Sequence, residues 1–313
     1  MNFVSLKKQK GAVIILLFVA MIMTITTVFL AAMSNRSPQL RDQLKKQAEM
    51  QQIKESLLTY AMSLPDYSVA NLGPGRLPCL DRNNDGVMEC GTNRIVGRLP
   101  ASIDDAFLTS PLQLSNSYTG IDQQYWFAVS RDFRQDVASL NTSTHTRLIS
   151  LNGVTNYAAL LIAPGPALGG QERNLLSQFD RYLESTTTNS STVFLNVNTV
   201  DPTYFNDMIV PITVSEVMSL STLRVAQEMK RVVDYFHVNS GNDRYPIDTA
   251  EFNVAVSDPG AATAAWIGDN SWASVTAYTY INDDTATVSY TNCAIVYTFD
   301  FAAASISRSP SEC

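Results

Sequence analysis

The residues best suited to chemistry fall in one short stretch, GRLPCLDRNNDGVMECGTNRIVGRLP, residues 75–100. Within it, Asp81, Asn83 and Asp85 stand two apart and Gly86 follows, which matches the opening of a calcium loop, D-x-N-x-D-G. In such a loop, oxygens at the first, third and fifth positions converge on one cation, and the glycine at the sixth permits the sharp turn. Val87 would add its backbone carbonyl from the seventh position and Glu89 its carboxylate from the ninth. The twelfth position is Thr92 rather than a bidentate Glu, so a complete EF-hand is excluded and any site is shorter or completed from elsewhere. Calcium is therefore the candidate cofactor, with Asp81, Asn83, Asp85, Val87 and Glu89 as its ligands. The same pattern suits a plain polar turn in which Asp and Asn bond their own backbone. The sequence leaves both readings open.

Other chemistries find little support. The chain has two histidines, His145 and His237, far apart and without metal-ligand spacing. No G-x-S-x-G, H-E-x-x-H or P-loop pattern occurs, and the glycine-rich Pro164–Gly170 stretch lacks a P-loop lysine. The four cysteines form two sequence-local pairs, Cys79 with Cys90 and Cys293 with Cys313, with no CxxC spacing. In an exported chain this suggests two disulfides, a pairing that rests on proximity since four cysteines allow three connectivities. The expectation is a protein that is not an enzyme.

Positioning the loop falls to what surrounds it. Ala12–Met33 is an uncharged apolar run of 22 residues, preceded by Lys7, Lys8 and Lys10 and no acid. As a helix it would extend about 33 Å, against a bilayer core of about 30 Å. The basic flank would hold the N-terminus in the cytoplasm. A removed signal peptide has a shorter apolar stretch, about 7–15 residues, so this one reads as retained. From Arg36 to Met62 the pattern turns amphipathic, with rows Leu40–Leu44–Ala48 and Ile53–Leu57–Ala61, and Pro38 marks a kink or break. Thr186–Thr192 reads as a polar loop. A second helix is expected at about 214–238, opened by a Thr213/Glu216 capping box and lined by Val225, Met229, Val232, Val233 and Phe236. Val275–Ile281 and Ala286–Phe301 alternate as strands around Asn282-Asp283-Asp284, a hairpin pattern.

The chain of 313 residues can hold one large or two modest domains beyond the anchor, and its net charge is −7. Removing residues 1–11, with three lysines and no acid, would make it −10. That balance gives no basic patch for nucleic acid, which is not expected as a partner.

The junction Lys10-Gly11-Ala12, a basic leader, a glycine and then an apolar helix that becomes amphipathic, resembles the N-terminus of type IV pilins and type II secretion pseudopilins. That resemblance implies cleavage after Gly11 by a prepilin peptidase and methylation of Ala12. The family usually has Phe first and Glu fifth in the mature chain, whereas here Ala12 and Leu16 stand there, which favours a minor, tip or initiating subunit. The order of LPCLD, the DG turn, the second cysteine and GRLP is similar to a group of large pilin-like proteins. Gln124–Ser130 (QYWFAVS), Tyr157–Ala163 (YAALLIA), GGQERN, Phe179–Glu184 (FDRYLE) and Phe205-Asn206-Asp207 carry the likeness further.

The expected fold is α+β: a long N-terminal transmembrane/amphipathic helix, an antiparallel β-sheet head with a C-terminal hairpin, and an additional inserted subdomain. The expected divisions are a leader at 1–11, a transmembrane helix at 12–36, an amphipathic helix at 37–62, a globular subdomain with the Cys79–Cys90 loop at 63–210, and a second helix with a β-rich C-terminal subdomain at 211–313. By the resemblance, the partners are other pilin or pseudopilin subunits, the prepilin peptidase and the inner-membrane assembly platform. The expected location is the inner membrane, single-pass with the N-terminus cytoplasmic and the head periplasmic, and then the pilus or pseudopilus. The alternative is a signal-anchored periplasmic or surface protein, binding or adhesive, that never polymerises.

Overall fold

The computed structural model describes residues 38–68, 70–83, 85–91, 93–100, 102–103, 112–113, 125–169, 171, 173, 178–185, 188, 190–196, 205–241 and 243–313. The leader, Gly11, Ala12, Leu16, the 12–36 segment and Thr92 lie outside the described residues. The chain divides into two compact units, residues 1–49 and residues 50–313.

Helix α1, Pro38–Tyr67, opens on a proline, which suits the first helical position because its missing N–H would have no helical partner anyway. Pro65 sits in the last turn and leaves the carbonyl of Ala61 without its helical donor. The N–H of Gly75 takes that place at 2.8 Å, so the proline that ends the helix also ties down the chain that follows. Beyond Met50, one face is buried: Met50, Ile53, Leu57, Tyr60, Ala61 and Leu64, at helical spacing. Of the other expected row, Leu44 is 47 % exposed and Ala48 is exposed as well.

The first sheet has six strands: β1 Val96–Arg98, β4 Trp126–Val129, β5 Ile149–Leu151, β6 Val154–Ala163, β7 Val193–Phe194 and β8 Met208–Thr213. A separate two-residue pair, β2 Ser102–Ile103 and β3 Leu112–Gln113, lies between β1 and β4 in the chain. Strand β6 is central and pairs antiparallel with β4, β5 and β8. Its apolar run is continuous because both faces are covered, and period-two alternation sends its residues to different cores. Ala159, Leu161 and Ala163 join Phe127, Val129 and the buried face of α1. Leu160 and Ile162 face the other way, with Trp126, Ile149, Tyr182 and Phe194. Each fully buried large side chain here contributes about 1.5–3 kcal/mol.

Helix α2, Val214–Asn239, follows β8 directly. Thr213 Oγ1 accepts from Glu216 N at 3.1 Å and Glu216 Oε2 accepts from Thr213 N at 2.8 Å, a reciprocal cap. Val214, Val217 and Met218 enter the first core, while Val225, Ala226, Met229 and Val233 enter the core of the second sheet. Short helices α3 Thr249–Ser257, α4 Ala265–Asp269 and α5 Trp272–Val275 lead into that sheet. It is an antiparallel meander of β9 Thr276–Asn282, β10 Thr285–Tyr290, β11 Cys293–Asp300 and β12 Ser305–Arg308. Its inward row includes Ala286, Val288, Tyr290, Ile295, Tyr297 and Phe299.

The expected fold is corrected in three respects. The chain is α+β, but among the described residues no helix is long and apolar enough to cross a membrane; α1 is rich in Lys, Gln and Glu, and the apolar run 12–33 is outside the described residues. Of the expected long transmembrane/amphipathic helix, the described part is a polar helix of 30 residues, Pro38–Tyr67. The first sheet is mixed rather than antiparallel, because β7 runs parallel to β5. The C-terminal hairpin is a four-stranded meander: the segment 286–301 breaks at Thr291-Asn292, where Asn292 adopts φ 60°, and β12 follows β11. Both sheets lie in the unit 50–313.

Candidate functional site

The structure holds two disulfides, Cys79–Cys90 and Cys293–Cys313, and among the described residues no cysteine is free. The first closes the loop whose sequence suggests calcium. The stem of the loop is a small antiparallel ladder: Glu89 N donates to Leu80 O at 2.7 Å, and Asp81 and Arg98 exchange backbone bonds at 3.0 and 2.8 Å. Gly97 makes this approach possible. A Cβ there would stand 2.8 Å from Leu80 Cβ and 3.0 Å from the Asp81 carbonyl. The exit of the loop is held by Asp136, which accepts from Gly91 N at 2.8 Å and takes a two-bond pair from Arg134 at 3.0 and 2.8 Å.

Inside the loop each acceptor bonds a nearby backbone donor. Asp81 Oδ2 accepts from Gly86 N at 2.9 Å, Asn83 Oδ1 from Asp85 N at 3.0 Å, and Asp85 Oδ1 from Val87 N at 2.8 Å. Asp85 Oδ2 also accepts from Asn83 Nδ2 at 2.9 Å. The bond from Val87 N and then that from Asn83 hold the Asp85 carboxyl below its usual range. Glu89 turns to Arg82 instead, accepting from its N at 2.8 Å and its Nε at 3.2 Å. Asp81, Asn83 and Asp85 are thus brought together along one turn, while Glu89 is engaged by Arg82. Cys79, Cys90 and Asp136 also lie close together, but both sulfurs are spent in the disulfide and Asp136 on Arg134. Thiolate is the ligand form of cysteine, so this group does not suit a metal.

Sequence reasoning missed what the two GRLP arginines do. Arg76 is buried, donates to the carbonyls of Val137 and Gln135 and reaches Asn270 Oδ1 at 2.6 Å. Burial lowers its pKa to about 10, against a smaller raising effect of Asp136. Arg98 is also buried, its guanidinium 3.9 Å from the Trp126 ring centroid and 4.6 Å from that of Tyr182, a cation–π stack. The repetition of GRLP around the cysteines was the visible clue.

The remaining candidates are dispersed. His145 packs on Phe133, whereas His237 stacks on Phe301 at 3.8 Å and faces Asp284 at 3.1 Å. Cys313 closes the C-terminus onto β11, and Glu312 lies with Arg308, Glu216, Leu58 and Leu220 around an open groove of about 570 Å³. Comparison with family models, with curated proteins and with solved structures finds no match.

Proposed function

We propose that this chain is a minor, pilin-like structural subunit of a type IV pilus or type II secretion pseudopilus, acting by assembly rather than catalysis at the tip or start of a filament. The observation that carries this reading is the Lys10-Gly11-Ala12 junction ahead of a head stapled by two local disulfides. Disulfides of this kind belong to exported chains. On this reading a prepilin peptidase cuts after Gly11 and the new Ala12 terminus is methylated. The partners are other pilin or pseudopilin subunits and the inner-membrane assembly platform. The placement, first single-pass at the inner membrane with the head periplasmic and then in the filament, rests on the sequence of residues 1–33 alone.

Substituting Gly11→Val tests the reading. A pilin-like precursor then accumulates unprocessed and fails to enter filaments, whereas a simple anchored protein is unaffected. The second reading, a surface binding or adhesive protein that does not polymerise, is favoured by the open groove beside Glu216 and Glu312. It predicts that Gly11→Val leaves size and location unchanged.

Calcium in the 81–89 turn belongs to the proposal as its cofactor. Asp81, Asn83 and Asp85 are placed along one turn, and calcium would add rigidity to it by replacing the internal bonds with ligand bonds. A cation there competes with Arg82 for Glu89. Calorimetric titration of the full chain with calcium chloride tests this, with Asp81→Asn as control: heat that disappears in the variant supports calcium, and no heat at millimolar calcium contradicts it.

A further inference from the structure

A half-buried acid, Glu184, meets a buried one, Asp207, in the first sheet's subdomain. Asp207 is wholly buried. Its Oδ2 accepts from Glu184 N and Ser185 N, both at 2.9 Å, while its Oδ1 is buried and without a hydrogen-bond partner. The Glu184 carboxyl lies within hydrogen-bonding reach of it. Glu184 in turn connects the pair to the loop after β6. Its Oε1 accepts from Gln171 Nε2 at 2.5 Å, and Gln171 Oε1 accepts from Leu168 N at 2.9 Å and Arg173 Nη2 at 3.1 Å. The neighbouring Asn206 donates to Pro166 O at 2.6 Å, and the loop backbone sits so close that a Cβ on Gly165 would meet Asn206 Cγ at 2.3 Å.

An ionised carboxylate buried beside a second, half-buried one is disfavoured unless a counter-charge stands by. After burial, the charge of Glu184 is the strongest influence raising the Asp207 carboxyl. Arg173, the basic residue of the loop, donates to Gly165 O at 2.6 Å and to Gln171 Oε1 at 3.1 Å, while its Nε is buried without a hydrogen-bond partner. An orphaned oxygen beside a second carboxyl is the arrangement that a shared proton completes.

We propose that Asp207 and Glu184 share one proton and form a latch, holding the Pro164–Gly169 and Gln171 loop against the 184–185 and 206–207 backbone below neutral pH and loosening it above. Burial, and secondly the charge of Glu184, push the Asp207 carboxyl up to about 7, against the pull of its two N–H bonds. Because this pKa lies above that of the unfolded chain, the stabilisation is fully present at pH below about 4 and is lost as pH rises toward about 7.

The test uses the full chain and Asp207→Asn, whose amide donates permanently to Glu184 while its oxygen still accepts from the two N–H groups. Thermal unfolding and hydrogen exchange are followed between about pH 5 and pH 8. The wild type is expected to lose Tm across this range and to exchange its 184–185 amides about tenfold faster, once corrected for intrinsic pH dependence. Asp207→Asn is expected to flatten both slopes. Equal slopes in the two proteins overturn the proposal, as does recovery of the wild-type Tm at pH 8 on adding calcium chloride, which would make the shared occupant a cation. If Asp207→Asn does not fold, Glu184→Gln serves instead. Removing the second negative charge should move the carbon-13 titration midpoint of Asp207 down by about one unit, and an unmoved midpoint overturns the latch.

Discussion

Arg76 and Arg98 occupy the same place in two copies of GRLP, yet the interior uses them differently: one feeds carbonyls and Asn270, the other lies between aromatic rings. No local pattern distinguishes these fates, because the partners come from residues 126, 137, 182 and 270. The glycines ahead of them are bound by contact. Gly75 has φ +95°, and a Cβ there would meet Ser221 Oγ at 2.4 Å. Gly75→Ala should therefore cost about 2–4 kcal/mol in urea unfolding, from backbone strain and overpacking together. Adding Ser221→Gly should recover the part due to contact and leave the part due to φ. Asp132 makes a pH prediction. Its burial raises the pKa, but bonds from Arg147 and Thr146 outweigh it and keep the carboxyl below its usual range. A depressed folded pKa stabilises above the unfolded value, about 3.9, and the gain is lost as pH falls through the folded one. Asp132→Asn should be less stable than wild type at pH 7 by about 1–3 kcal/mol, with the gap closing in acid. Denaturant curves at neutral and acid pH check this.

At the scale of elements, the cap of α2 was the most legible feature, because Thr213 and Glu216 act on adjacent backbone. Thr213→Ala should cost about 1 kcal/mol. The apolar positions of α2 were legible for the same reason, as was the strand at Tyr157–Ala163. The break between β10 and β11 was not, since its turn holds no glycine; Asn292 supplies the left-handed conformation that asparagine tolerates. The parallel pairing of β7 with β5 was also invisible, because it joins distant segments through two residues each. Within the calcium-like turn, the sequence located the acceptors but could not reveal that Arg82 engages Glu89. The C-terminal disulfide fastens the end of the chain to β11. Replacing both Cys293 and Cys313 by Ser should lower stability by about 3 kcal/mol in urea unfolding, through the loop entropy regained by the unfolded chain.

For the molecule as a whole, the two larger sheets of the unit 50–313 share one helix, with α2 contributing its first turns to one core and its later turns to the other. Asn270 is a second tie between them. It is buried, accepts from Arg76 and from Leu140 N at 3.2 Å, and its carbonyl accepts from Asn141 Nδ2 at 2.9 Å. Asn270→Ala leaves a buried guanidinium short of a partner and should cost about 3 kcal/mol. Because the two cores then lose a common anchor, its urea transition should broaden or split by fluorescence against circular dichroism. The central claim, a processed structural subunit of a filament, is tested most directly at the N-terminus. Intact mass and N-terminal sequence of the protein from its native membrane should be determined with and without the prepilin peptidase. The account predicts an N-methylated Ala12 terminus that depends on the peptidase, and a terminus at Met1 indifferent to the peptidase would contradict it.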